Sequence, residues 1–370
     1  MQHPNGPRPS RRQPVRRRLC ALAALACLSL LAACSVSMDV EPDSADDQPT
    51  ATTQVVLATH DSWYVPDGLV RRFERQTGYR LRVVTNGDAG QLTNKLVLTK
   101  GAPIADAVFG IDTTFASRAV DAGILDPYTP AELPPSAADH ALAGAGADVL
   151  TPVDWGDVCI NVHDVWFDEH HLDPPRTFDD LTDPAYRDLF VTPAASTSSP
   201  GFAFLAATVG EYGEDGWQDY WRALMANGTR ITSGWSDAYE VDFTAGGGGG
   251  DRPIVLSYAS SPPFTIPEGR RRPTTSALLD TCFRQVEYAG VLDGATNPEG
   301  AKALVDFLTR PAFQRALPDS MYVFPVDDRV PLPPLWRKWA EPAPDPVEVA
   351  PEEIAGSRDE WLRTWSDLTS

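Results

Sequence analysis

Between residues 54 and 123, short apolar runs alternate with helical patterns, and this alternation narrows the fold more than any other feature of the chain. QVVLATH (54–60) reads as an apolar strand ending in a polar turn. PDGLVRRFERQTG (66–78) sets Leu69, Val70 and Phe73 at helical spacing and stops at Gly78. YRLRVVT (79–85) alternates like a strand, and GDAGQLTNKLVLTKG (87–101) reads as a turn followed by a helix. DAVFGID (106–112) and TTFASRAVDAG (113–123) repeat the pattern. Such β-α-β-α-β-α order predicts an α/β fold with a parallel sheet and crossover helices. Ligands of such sheets sit at the carboxyl ends of the strands. Three of those ends carry an aspartate: Asp61, Asp88 and Asp112. Aspartate is also a common helix cap or turn residue, so at least one of the three is expected to do no more than cap.

The middle of the chain reads differently. VLTPVDWGDVCINVHD (149–164) is one long extended run, able to cross between two halves of a molecule. A short helix pair follows at 177–190, then a strand end, a polar turn and a helix from about Pro200, and an amphipathic helix at 216–228. Five glycines (246–250) precede the strand RPIVLSY (252–258). They are followed by Asp-Arg-Pro, not by the Gly-Lys-Ser/Thr of a phosphate loop, so they read as a loose surface loop. Strand-like CFRQVEYAG (282–290) and a helix at 297–310 come next. Residues 331–370 are rich in Pro and acid, with an amphipathic helix around 357–368.

Residues 1–18 hold six arginines and no acid, and an apolar run leads from Leu19 to LLAAC at 30–34. That is the layout of an export signal, too short for a comfortable membrane span. The LAAC ending resembles a bacterial lipobox, which implies that Cys34 is lipidated and becomes the first mature residue. Residues 35–53 read as a disordered tether. Of 31 basic residues, losing those six leaves 25 against 51 acidic ones, net −26. So acidic a surface disfavours nucleic acid and anionic lipid and tolerates cations. Cys159 and Cys282 remain as an even pair in an oxidising compartment, where a disulfide between distant segments is expected. Spacing alone does not show that they meet.

No G-x-S-x-G, H-E-x-x-H or C-x-x-C occurs. The EHH at 169–171 reads as solvated, and no metal site is expected. His60, Asp61 and Ser62 are triad residue types, but neighbours in sequence seldom form a working triad. What stands out is three polar turns. STSSPG (196–201) opens a helix whose N–H groups, with Ser198 and Ser199, form a seat for an oxyanion or phosphate. SGWSDAY (233–239) and SYASSP (257–262) supply Trp235, Tyr239 and Tyr258. Aromatic faces beside carboxylates suit an organic cation.

Taken in order, THDSW, GDAGQLTNKL, DAVFGIDTTF, STSSPGF, SGWSDAY, VLSYASSP and RPAFQRALPDSMYVFPV resemble the thiamine-binding component of bacterial thiamine ABC importers, from about residue 54 to 327. The resemblance implies a two-lobed periplasmic binding protein fold of type II. Each lobe would be a mixed, mostly parallel sheet flanked by helices, with the ligand in the cleft between lobes. Lobe I is then expected at 54–152, lobe II at 153–252 and a return through lobe I and the hinge at 253–330; the signal at 1–33, the tether at 34–53 and the tail at 331–370 lie outside the resemblance. The implied ligand contacts are Asp88, Ala89, Ser198, Ser199, Trp235, Tyr258, Ala259, Ser260 and Ser261, with His60, Asp61, Asp112 and Tyr239 as additional candidates. Ala89 and Ala259 stand where the family has glycine and a hydroxyl residue, and His60 where it can have tyrosine. The expectation is a lipid-anchored, monomeric solute-binding protein on the outer face of the membrane. It would deliver thiamine or its phosphates to an ABC permease, with no catalysis and no cofactor. A polyamine or ferric iron on the same fold, and a hydrolase built on His60, Asp61 and Ser62, are the alternatives.

Overall fold

In the computed structural model the described residues are 53–370; the signal, Cys34 and nearly all of the tether lie outside them. The first strand, β1 (Gln54–Thr59), buries Val55 and Leu57 on one face and Ala58 on the other. Both faces are apolar because helices cover the sheet on two sides. Helix α1 (Asp67–Thr77) buries Phe73 and ends at Gly78 in the left-handed conformation. Strand β2 (Arg80–Thr85) pairs parallel with β1, and after α2 (Ala89–Leu98) strand β3 (Ala107–Asp112) pairs parallel on its other side. With α3 (Ala116–Ala122) the alternation read from 54–123 is complete.

The chain then passes β4 (Leu125–Asp126) and enters β5 (Thr151–His163), followed by α4 (Asp164–His170), β6 (Phe190–Pro193), α5 (Ser199–Ala226) and β7 (Arg230–Thr232). Next come β8 (Ile254–Tyr258), β9 (Thr275–Ala277), β10 (Phe283–Leu292), α6 (Pro298–Leu308) and β11 (Phe324–Pro325). The strands form one sheet in the order β2-β1-β3-β10-β5-β8-β6-β7, with β4, β9 and β11 on side branches. The outer trios β2-β1-β3 and β8-β6-β7 are parallel, and β10 and β5 join them through antiparallel pairs. The first part of β5, Thr151–Val158, pairs with β10, and its last part, Val158–Val162, pairs with β8. One strand therefore belongs to both lobes, as the long run at 149–164 suggested. Cys159 of β5 and Cys282, next to β10, form a disulfide that staples the two crossing strands together.

Three expectations change. The return to the first lobe was expected to open at residue 253, but β8 lies between β5 and β6, deep in the second lobe. Its partner is the far part of β5, so the chain goes back only at β10.

The supposed tail is part of the core. Its helix Pro351–Thr369 buries Ile354, Trp361 and Trp365 in the cluster that holds Phe202, Phe204 and Trp221 of α5. Arg358 of the same helix lies 4.2 Å from the ring centroid of Phe115 and 5.3 Å from that of Phe202, touching both lobes.

The five glycines are not loose. They run along a π-helical turn, Asp237–Asp242, so closely that β carbons on Gly246, Gly248 and Gly250 would come 1.7, 2.5 and 2.0 Å from the carbonyl oxygens of Tyr239, Glu240 and Asp242. Gly247 and Gly249 between them adopt φ of +88° and +78°, which side chains resist. The Gly248 N–H donates to the Glu240 carbonyl at 2.9 Å. The run is a strap on the back of the segment that carries Trp235.

Candidate ligand-binding site

The ends of β1 and β2 face the head of α5, the π-helical turn and the turn after β8 across a cleft of about 430 Å³. That is ample for a small organic molecule. Of the residues expected from sequence, Asp88, Ala89, Ser199, Trp235 and Tyr258 line it, as do His60 and Asp61. Glu240, Glu287 and Tyr322 also line it, although the sequence did not single them out. Among the described residues, no lysine or arginine does.

Asp88 is the N-cap of α2 and accepts from the Ala89 N–H at 2.6 Å. The same carboxylate reaches across the cleft. It accepts from the Ser199 N–H at 3.0 Å and the Trp235 N–H at 3.0 Å. The anion at the head of α5 is thus the protein's own. Pro200 has no N–H to offer, and the Gly201 N–H donates to Ser198 Oγ at 3.3 Å, so the phosphate seat expected at STSSPG is already filled. Burial pushes the Asp88 pKa up, against the pull of the N–H groups of Trp235 and Ser199. Asp88 therefore links the two lobes as well as lining the cleft.

Asp112 is fully buried and does not reach the cleft. It caps its own turn through the Phe115 N–H and Thr114, and on the other side meets Ser199 Oγ and Gln285. Burial pushes its pKa up to about 6 despite those bonds. So two of the three strand-end aspartates are caps that also bind across to the second lobe.

The remaining carboxylates behave differently. His60 Nε2 lies 3.3 Å from Glu287 Oε1, both nearly buried. Gly110 permits this, because a β carbon there would come 2.2 Å from the His60 ring. Burial disfavours charge on His60, but Glu287, helped by Asp88 and Asp61, carries its pKa above the ordinary value. Burial would also raise Glu287, yet the neighbouring His60 holds its pKa down. Asp154 is raised well above the usual range by burial and by repulsion from Glu287.

Aromatic rings come from both lobes, Trp63 and Tyr64 from the first and Trp235, Tyr258 and Phe264 from the second. Trp235 stacks on Tyr239 with centroids 4.9 Å apart and planes 12° apart, and its indole N–H donates to Ser257 Oγ at 3.0 Å. Only 6% of Trp235 is exposed, so it is core and cleft wall at once. Tyr239 stands behind it, outside the cleft lining. Tyr258 and Tyr322 complete the box, 6.2 and 5.8 Å from Trp235. Tyr322 adopts φ of +63°, a conformation its sequence context does not announce.

Four other expected contacts lie behind the wall. Ser198 is the buried cap of α5. Ala259 packs against the disulfide, on the opposite side of its chain from Tyr258. Ser260 donates to the Tyr322 carbonyl, and Ser261 bonds Ser257. These hydroxyls hold the rings in place. Ser62 meets only Asp61 and Ser236, while the His60 ring goes to Glu287, so no base faces a nucleophile as a hydrolase requires. Among the described residues no group of three His, Cys, Asp or Glu is placed to hold a metal.

Two lobes sharing crossing strands, with a polar and aromatic cleft between them, have the architecture of the type II periplasmic binding protein fold. Residues 102–246 match the bacterial extracellular solute-binding protein family. The chain is 28% identical over 352 residues to the thiamine-binding periplasmic protein of Escherichia coli (strain K12), covering 93% of this chain and 98% of that one. A solved periplasmic thiamin binding protein superposes with a TM-score of 0.74 at 27% identity, over 86% of this chain and 96% of the other. Iron-bound HitA from Pseudomonas aeruginosa shares the fold, with a TM-score of 0.65 at 18% identity, over 86% and 99% of the two chains. The resemblance to the thiamine-binding components of bacterial importers thus extends over nearly the whole chain.

Proposed function

We propose that this protein captures thiamine outside the cytoplasmic membrane and hands it to an ABC permease, as a lipid-anchored monomer held through Cys34. The observation that carries the reading is the cleft: carboxylates and six aromatic rings, those of Trp63, Tyr64, Trp235, Tyr258, Phe264 and Tyr322, line it, and among the described residues no lysine or arginine does. A flat, cationic heterocycle satisfies both, through ring stacking and Coulomb attraction. The names of the relatives point the same way. The reading is drawn for thiamine itself rather than its phosphates, because Asp88 fills the anion seat at α5.

Calorimetric titration of the purified protein with thiamine is the test. Saturable heat and a change in tryptophan fluorescence are expected, with spermidine competing poorly. No signal at about 100 μM, weaker than a scavenger works, overturns the reading.

A further inference from the structure

Glu287 lies on β10 where that strand passes beneath the cleft, and its carboxylate is part of the lining. Asp88 accepts three backbone N–H groups; Glu287 is bounded by side chains instead. Directly across the β5–β10 pair is Asp154, which is fully buried and has no N–H or O–H donor on either oxygen. Directly opposed residues point to the same face of a sheet. Two carboxyl groups held together in that way can hydrogen-bond only through a proton. His60 closes the other side, with Nε2 3.3 Å from Glu287. Asp61 and Asp88 act on His60 from the first lobe, and Asp112 and the Tyr258 hydroxyl face the same cluster.

We propose that Glu287, rather than Asp88, is the carboxylate that meets the cationic ligand, and that Asp154 and His60 set the negative charge it presents. This rests on the thiamine reading above. Asp154 and Glu287 share one proton, so the pair carries a single negative charge. With His60 protonated the cluster is neutral; when His60 loses its proton one negative charge remains beneath the ligand. When a second proton enters the carboxyl pair in acid, that charge disappears. Both steps make the site a better cation receptor as pH rises.

Thiamine titrations of the wild type and three variants from about pH 5 to about pH 8, the range in which histidine titrates, test this. Wild-type affinity should rise about fivefold across the range, the scale of one charge acting through a partly hydrated site. Glu287→Gln should lose about 30-fold or more, as expected when one partner of a buried charge contact is neutralised. His60→Gln should flatten the upper part of the profile, and the ligand's own ionisation cancels when it is compared with wild type at each pH. Asp154→Asn should move the acid limb to lower pH. Infrared spectra of the ligand-free protein near pH 7 should show a protonated carboxyl band that Asp154→Asn lacks. Tight, pH-independent thiamine binding, or Glu287→Gln binding like wild type, overturns the proposal while leaving the thiamine reading intact. Absence of wild-type binding at every pH overturns the thiamine reading and this proposal with it, even if the carboxyl band is present.

Discussion

The two lobes bring different chemistry to the cleft. The first, with the crossing strand β10, supplies charge: Asp61, Asp88, His60 and Glu287. The second supplies rings and N–H groups: Trp235, Tyr258 and the head of α5. The division is one of emphasis, since the first lobe also adds Trp63 and Tyr64 and the second adds Glu240, but residues of both lobes are needed to line the cleft. Asp88 and Asp112, which bond across to Ser199, are contacts between the two lobes.

The sharpest way to break the division is to remove the ring wall. Trp235→Ala should cost about 3–5 kcal/mol of stability along with thiamine binding, because the indole is stacked and hydrogen-bonded as well as lining the cleft. Denaturant unfolding with parallel calorimetry checks this. Loss of binding with unchanged stability would mean that the ring serves the ligand alone.

Asp112, buried behind the cleft, tests the contact between the lobes with the opposite sign. Its pKa rises from 3.8 to about 6 on folding, so the folded state holds the proton more tightly. That advantage is complete below about pH 4 and disappears as pH rises through about 6, a loss of up to about 3 kcal/mol. The difference in unfolding free energy between wild type and Asp112→Asn should therefore shift in favour of the variant across that window. A constant difference refutes the assignment.

A smaller effect is expected at the link itself. Asp88→Ala removes the acceptor of two cross-cleft N–H groups and should weaken the closed state by about 2 kcal/mol, near 30-fold in thiamine affinity. Small-angle scattering should show a more open ligand-free protein. An unchanged profile and unchanged affinity would reduce Asp88 to a helix cap.

Smallest is Gly248→Ala, whose new methyl group presses on the Glu240 carbonyl. A cost of about 1 kcal/mol and a modest loss of affinity are expected, with the charged wall untouched. Thermal unfolding and a pH profile parallel to that of wild type are the measurements; a changed profile would mean that the walls are not separable.

Much of this was legible in the residues and some was not. The spacing of Leu69, Val70 and Phe73, and the apolar runs around them, carry the first lobe because helix and strand periods are local. The long run at 149–164 betrays β5 for the same reason. The position of β8 depends on which part of β5 it pairs with, and pairing partners are not written locally. Asp88, Trp235 and Tyr258 were visible as turn residues at strand ends. Glu287 was not, because alternation in CFRQVEYAG does not say which face meets the cleft. The glycine run misled because flexible and closely packed glycines look alike in sequence.

The C-terminal helix bears on the timing of folding. Trp361 and Trp365 fill the same cluster as Trp221 of α5, about 140 residues earlier in the chain. Until residue 365 has been delivered, the core of the second lobe lacks part of its wall, and domains complete as units. The second lobe therefore completes its core only when the last turns of the C-terminal helix are in place.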